Sequence, residues 1–358
     1  MNASAESLPL APRYGGSSAA PSPGSSQGVA PPEMLVREGI LEIPGEFPLH
    51  HGGALTDVHL AWRIAGPAGA PVVCALGGIS ASRRVCLCEE SREAWWSSIA
   101  GPARPLDCNR YRILSFDYLG GSGDSTGPEP GRPFPSVSSY DQAELLVRLI
   151  NHLGLRSLRA IAGGSYGAMV ALAFGERHPE RVGHLLTIGA ADRPHPMATA
   201  WRSVQRQVVR FALSCGRERE GLQLARALAM STYRSPEEFC ARFTGAPRRE
   251  QDRYVFPVES YLFARGSDYA ARHRPESFLC LSESIDLHQV DASRIFVPTT
   301  VVAVREDQLV PLADIRAMVA RLPVASFHEI SSLYGHDAFL KETEQLRRIF
   351  TLALGSLS

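Results

Sequence analysis

From Met34 onward, short apolar and β-branched runs alternate with longer stretches in which apolar residues recur at helical spacing. The runs predict strands over 58–64, 71–76, 112–116, 158–162, 184–188, 299–304 and 325–330. The longer stretches predict helices over 141–152, with apolar residues at 145, 146, 149 and 150, and over the Ala-rich 166–176, 311–322 and 338–354. Strand and helix in alternation imply a mostly parallel sheet covered on both faces, an α/β fold. The alternation breaks over 191–296, an Arg-rich and mainly helical segment, and resumes at Thr299. That segment reads as an insertion forming a helical lid over the carboxyl ends of the strands, where open α/β sheets place their ligands. Residues 1–33 contain 6 Ala, 7 Ser, 6 Pro and 4 Gly, and read as a disordered tail. The expected organisation is therefore a tail over 1–33, a core over 34–190 and 297–358, and a lid over 191–296.

Composition narrows the function. With 44% apolar residues the chain can bury a sizeable core, and 37 basic residues balance 37 acidic ones. No block of like charge marks a nucleic-acid or membrane partner, so chemistry on small molecules is expected. The seven cysteines form no CxxC pair and suggest no metal site, only reduced thiols. Neither a signal sequence nor an apolar stretch of membrane-spanning length is read, and a cytoplasmic protein is expected.

Gly163-Gly164-Ser165-Tyr166-Gly167 lies between a predicted strand and a predicted helix. A G-x-S-x-G sequence in that context is a nucleophile elbow, where small neighbours permit a sharp turn and the serine hydroxyl sits at a helix N-terminus. Serine becomes a competent nucleophile only when a histidine takes its proton and an acid orients that histidine. Among the histidines downstream, His288 and His328 rival His336. His328 alternates with apolar residues inside a strand, whereas His336 follows a strand and a turn and so falls on a loop at the carboxyl edge of the sheet. Asp307 stands just beyond the strand 299–304; its shorter side chain suits a tight loop better than that of Glu306, and Asp314 falls in the next helix. The order Ser165, Asp307, His336 is that of an α/β-hydrolase triad. Tyr166 N–H and an amide from the turn after the strand 71–76 would form the oxyanion hole.

The chain resembles the homoserine O-acyltransferases of methionine biosynthesis over roughly residues 38–355. Trp95-Trp96, Gly101-Pro102 and the stretch Asp107 to Tyr111 are similar to one block of that family. LGGSGDSTGP at 119–128 is similar to another, with Asp124 where the family usually has glycine. GGSYGAM at 163–169, VESYL at 258–262 and GHDAFL at 335–340 complete the match. The resemblance implies an α/β-hydrolase fold and a ping-pong reaction in which acyl-CoA, a co-substrate rather than a bound cofactor, acylates Ser165. Leu76 and Tyr166 would supply the oxyanion amides. Arg226 would clamp the carboxylate of homoserine with Tyr233 seven residues on, and Asp337 would hold its amino group. The family departs at 77–84, where Arg83 and Arg84 would lie near the acyl tail, two cations that suit succinyl better than acetyl, or would instead touch the nucleotide phosphates of coenzyme A or solvent. A homodimer is also implied. The alternatives are serine as acceptor, a lidded esterase, or a non-catalytic binding protein of the same fold.

Overall fold

A computed structural model of the chain describes residues 34–86 and 94–355. The tail expected over 1–33 lies outside these residues. In chain order the structure contains β1 (Leu35–Pro48), β2 (Ala54–Gly66), β3 (Val72–Leu76), β4 (Ala100–Gly101), β5 (Leu106–Asp107), β6 (Arg112–Phe116), α1 (Ser139–His152), β7 (Ala160–Gly164), α2 (Tyr166–Arg177) and β8 (Leu185–Ile188). There follow α3 (Pro196–Ser214), α4 (Glu218–Tyr233), α5 (Pro236–Arg242), the short hairpin β9 (Arg248–Glu250) and β10 (Arg253–Val255), α6 (Pro257–Ala270) and α7 (Pro275–Asp286). The chain closes with β11 (Thr299–Val304), α8 (Leu312–Val319), β12 (Ala325–Ile330), α9 (Ala338–Lys341) and α10 (Thr343–Gly355).

Eight strands form one sheet in the order β1-β2-β6-β3-β7-β8-β11-β12. The first two pairings are antiparallel and the other five parallel. The central strands β3, β7, β8 and β11 are buried from end to end, which is why their sequences carry no charged residue. Alternate residues feed two separate cores: Cys74, Leu76, Ile161, Val301 and Ala303 pack under α1, α2 and α8, while Val73, Ala75, Ala162, Val302 and Val304 pack with Trp96 and the α10 residues Leu346, Ile349 and Phe350. That division follows from the two-residue period of a strand, which sends neighbours to opposite faces.

The structure departs from the sequence pattern at the margins. β1 is not among the predicted strands: it is an edge strand, largely exposed, with Pro44 inside it and a register shift between Ile43 and Glu46. Proline, which cannot donate to a ladder, and the bulge obscured its alternation. The predicted C-terminal helix is two helices broken at Glu342, whose ψ is 64°. Between β8 and β11 the chain forms helices α3 to α7, with a small core of their own around Val209, Leu222, Ala225, Tyr269 and Phe278.

Candidate active site

Ser165 follows β7 and caps α2 with φ 56° and ψ −122°. A non-glycine residue in that region is strained, and the surroundings enforce it. A Cβ on Gly163 would collide with the Gly167 carbonyl, and one on Gly167 would collide with the backbone of Leu76. The amide of Gly167 donates to the Gly77 carbonyl at 2.8 Å. The elbow thus packs directly on the end of β3, and glycine at these positions is a requirement of close backbone approach.

Asp307 and His336 come from loops beyond β11 and β12, so all three side chains converge at the carboxyl ends of parallel strands. Ser165 Oγ lies 2.8 Å from His336 Nε2, and His336 Nδ1 lies 2.6 Å from Asp307 Oδ2. The other carboxylate oxygen of Asp307 accepts the amides of Leu309 at 2.8 Å and Val310 at 3.1 Å, fixing its plane. Both His336 and Asp307 are 6% exposed. Burial acts to lower the His336 pKa, but the charge of Asp307 and its hydrogen bond outweigh burial and hold the imidazole above its ordinary value. His336 Nδ1–H donating to Asp307 leaves Nε2 as the acceptor for the serine proton, the arrangement a general base needs.

That shift has a measurable sign. The base works only when neutral, so kcat/KM is expected to fall tenfold per pH unit below an acid limb lying above 6.5. Asp307→Asn removes the two strongest influences that raise the pKa and leaves burial and the weaker pull of Asp337, so the limb should move to lower pH while the rate drops by roughly 10⁴-fold. A pH–rate profile of both proteins checks it; a limb that stays in place would remove Asp307 from this role.

The rival histidines are placed elsewhere. His288, just beyond α7, is buried against the start of α1, 2.8 Å from Ser139 Oγ, and burial lowers its pKa to about 4. His328 lies within β12. Glu306, the alternative acid, instead clamps the His336 loop: it accepts from the Ser331 hydroxyl and from the Ser332 amide at 2.7 Å.

Arg226 and Tyr233 lie on α4, and their side chains meet, with Arg226 Nη1 donating to the Tyr233 hydroxyl at 3.2 Å. The guanidinium is held between two rings, 4.9 Å from the centre of Tyr233 and 4.7 Å from that of Tyr269. The Tyr233 ring lies 5.9 Å from His336. Gly335 packs so close to the end of α4 that a Cβ there would stand 2.8 Å from the Tyr233 carbonyl. Asp337 follows His336 and pairs with Arg234 at 3.0 Å. Arg226, Asp337 and Tyr269 line one cavity of about 420 Å³ between α4 and α6, together with Arg234, Arg242 and Arg272. Leu76 ends β3 opposite Gly163 of β7, and Tyr166 opens α2, its hydroxyl 2.6 Å from Ser284 Oγ.

Arg83 and Arg84 differ in their partners. Arg83 is bound by Asp117 and, at 2.7 Å, by Asp124, while Arg84 makes no ion pair among the described residues. The sequence reading missed Tyr269, Arg234 and Ser284. They come from other helices or from side chains with no motif, and only the requirement that a half-buried arginine be covered would have pointed to a residue such as Tyr269. Among the described residues no cluster of three or more His, Cys, Asp or Glu could hold a metal ion, and no helix is long and apolar enough to cross a membrane.

A serine elbow, a buried His–Asp pair and a mostly parallel sheet with helices on both faces define an α/β hydrolase, and residues 71–343 match the family described as alpha/beta hydrolase fold. Within that fold the chain belongs to the homoserine O-acyltransferases. It is 41% identical over 316 residues to a homoserine O-succinyltransferase of Xanthomonas campestris, covering 87% of this chain and 83% of the relative. It is 36% identical over 280 residues to a homoserine O-acetyltransferase of Thermus thermophilus, covering 72% and 71%. The fold superposes with a TM-score of 0.80 on the crystal structure of homoserine O-acetyltransferase from Bacillus anthracis, at 17% identity, covering 89% of this chain and 98% of that one.

Proposed function

We propose that this acyltransferase transfers the succinyl group of succinyl-CoA to the γ-hydroxyl of L-homoserine through an acyl-Ser165 intermediate. The observation that carries the reading is that Tyr233, whose ring lies 5.9 Å from His336, holds the half-buried guanidinium of Arg226, because a hydrolase of simple esters has no use for a guanidinium secured one side chain away from its base. His336 Nε2 takes the proton of Ser165 Oγ as the Oγ–C bond forms, and Leu76 and Tyr166 amides hold the oxyanion. The C–S bond breaks, the coenzyme A thiolate takes the proton from His336, and the acyl group stays on Ser165. Homoserine then enters; Arg226 grips its carboxylate and Asp337 accepts from its ammonium group. His336 removes the γ-hydroxyl proton, the new ester forms, and Ser165 recovers its hydrogen from His336.

Asp337 is already paired with Arg234, so the ammonium group shares that carboxylate. Transfer outruns hydrolysis because helices α3 to α7 act as a lid that keeps water from the acyl-enzyme. The 41% identical relative named for succinyl transfer supports the choice of donor. A cytoplasmic homodimer working in methionine biosynthesis accords with this reading.

Thiol release from succinyl-CoA and acetyl-CoA, each with homoserine, serine or no acceptor, tests it. Sustained release is expected only with homoserine and faster with succinyl-CoA. Equal release without acceptor would make the protein a thioesterase, and preference for serine would reassign the acceptor.

A further inference from the structure

The turn after β3, residues 77–84, is fastened to the loop after β6, residues 117–126, through one buried carboxylate. Asp117 is 3% exposed. Its Oδ1 accepts the Arg83 amide at 2.7 Å, and its Oδ2 accepts the Asp124 amide at 2.9 Å while pairing with Arg83 Nη1. Arg83 Nη2 reaches across to Asp124 Oδ2 at 2.7 Å. A Cβ on Gly123 would collide with the Asp117 carboxylate, so the loop admits this carboxylate only because a glycine passes over it. The next residue completes the tie: the Tyr118 hydroxyl donates at 2.7 Å to the Gly77 carbonyl, which also accepts the amide of Gly167 in the serine elbow. The backbone directly after Leu76 is therefore held from the Asp117–Tyr118 side and from the nucleophile side at once.

The local charge argues against a ligand role for Arg83. One guanidinium faces two carboxylates, so its charge and its donors are already engaged within the protein. A fork geometry that engages two acceptors from one loop instead supplies stiffness, which a compact ammonium cannot reproduce.

We propose that Arg83 and Asp117 are positioning residues for the oxyanion turn: together they hold the Leu76–Gly78 backbone at the spacing that the tetrahedral intermediate requires. The inference rests on the acyl-transfer reading. Because an oxyanion forms in the same hole when Ser165 is acylated and again when it is deacylated, both half-reactions depend on the pair.

Pre-steady-state thiol release by Arg83→Met and Arg83→Lys separates this role from the others. For Arg83→Met the burst amplitude should equal that of the unaltered enzyme, since every folded site still carries Ser165. The acylation and homoserine-dependent deacylation rate constants should fall by the same factor, about 10- to 100-fold, below the loss for deleting a donor outright. That factor should be equal for acetyl-CoA and succinyl-CoA, KM for either donor should stay within about twofold, and Arg83→Lys should recover part of the rate.

A raised donor KM with unchanged rate constants, or a factor that differs between the two donors, would make Arg83 a donor ligand. A reduced amplitude with unchanged rate constants would make it a folding residue. Should Arg83→Met not fold, Asp124→Ala keeps the Asp117 pair; it is expected to lower both rate constants equally by a few-fold, and no change in either would overturn the proposal. p-Nitrophenyl acetate keeps the two claims apart. An unaltered enzyme that releases nitrophenol but no coenzyme A refutes the acyl-CoA reading, while the equal loss of both ester half-reactions in Arg83→Met still tests the positioning role.

Discussion

Ser165→Ala is expected to lower thiol release from acyl-CoA by roughly 10⁴- to 10⁶-fold and to abolish the burst, leaving only the residual effect of binding and the oxyanion amides. The reason is specific to the geometry: no other hydroxyl is described within hydrogen-bonding distance of His336 Nε2. The fold should survive, because the elbow is held by the glycine contacts and by the amide of Ser165 itself, which donates to the Ile188 carbonyl at 2.9 Å. A companion variant exposes the strain at this position. Alanine inherits the φ of 56° and keeps the cost of that backbone, whereas glycine relieves it. Ser165→Gly is therefore expected to be inactive but more stable than Ser165→Ala by about 1 kcal/mol, the relief being partly offset by the flexibility of glycine in the unfolded chain. Thermal unfolding of the two variants together with burst kinetics checks both halves. A normal burst from Ser165→Ala would remove this residue as the nucleophile.

Arg226→Met should separate the two half-reactions. Truncating a charge-assisted contact to a carboxylate inside a closed site costs about 2–5 kcal/mol, equivalent to roughly 30- to 4000-fold in kcat/KM for homoserine. The first half-reaction involves no acceptor, so the burst of thiol should keep its rate. Tyr233 and Tyr269 both pack on the guanidinium, and methionine can fill the space beside their rings, which keeps the lid packed. Arg226→Lys should not rescue the acceptor step fully, because an ammonium cannot form the two-pronged contact. Stopped-flow acylation and steady-state acceptor kinetics read the two steps independently. An equal loss in both would mean that Arg226 supports the lid and does not bind the acceptor.

The parts of this architecture legible in the sequence are those written in local pattern. Strands buried on both faces appear as uninterrupted apolar runs, and the elbow is signalled by glycines whose Cβ atoms would strike Gly167 and Leu76. His336 could be separated from His328 because one follows a strand and the other alternates within it, and the structure places them so. β1 was not legible, since an exposed edge with Pro44 and a bulge shows little of the alternation that marks a strand. The partners of Arg83 were not legible for a different reason. Its two carboxylate partners lie 34 and 41 positions further along the chain, and only the pairing of β3 with β6 brings them together. Tyr269 was invisible on the same grounds: it covers Arg226 across α4 and α6, a contact between helices that no spacing within either helix encodes. Cysteine count and charge balance excluded function classes but located nothing.

The central claim is that an acyl group resides on Ser165 between donor and acceptor. Mass analysis of the Ser165-containing peptide after brief incubation with succinyl-CoA, and again after a homoserine chase, addresses it directly. The account predicts one succinyl group on Ser165 before the chase, and after it a free serine with O-succinylhomoserine in solution. A peptide that is never acylated while the product still forms would contradict the account, because the acyl group would then pass directly from coenzyme A to the acceptor.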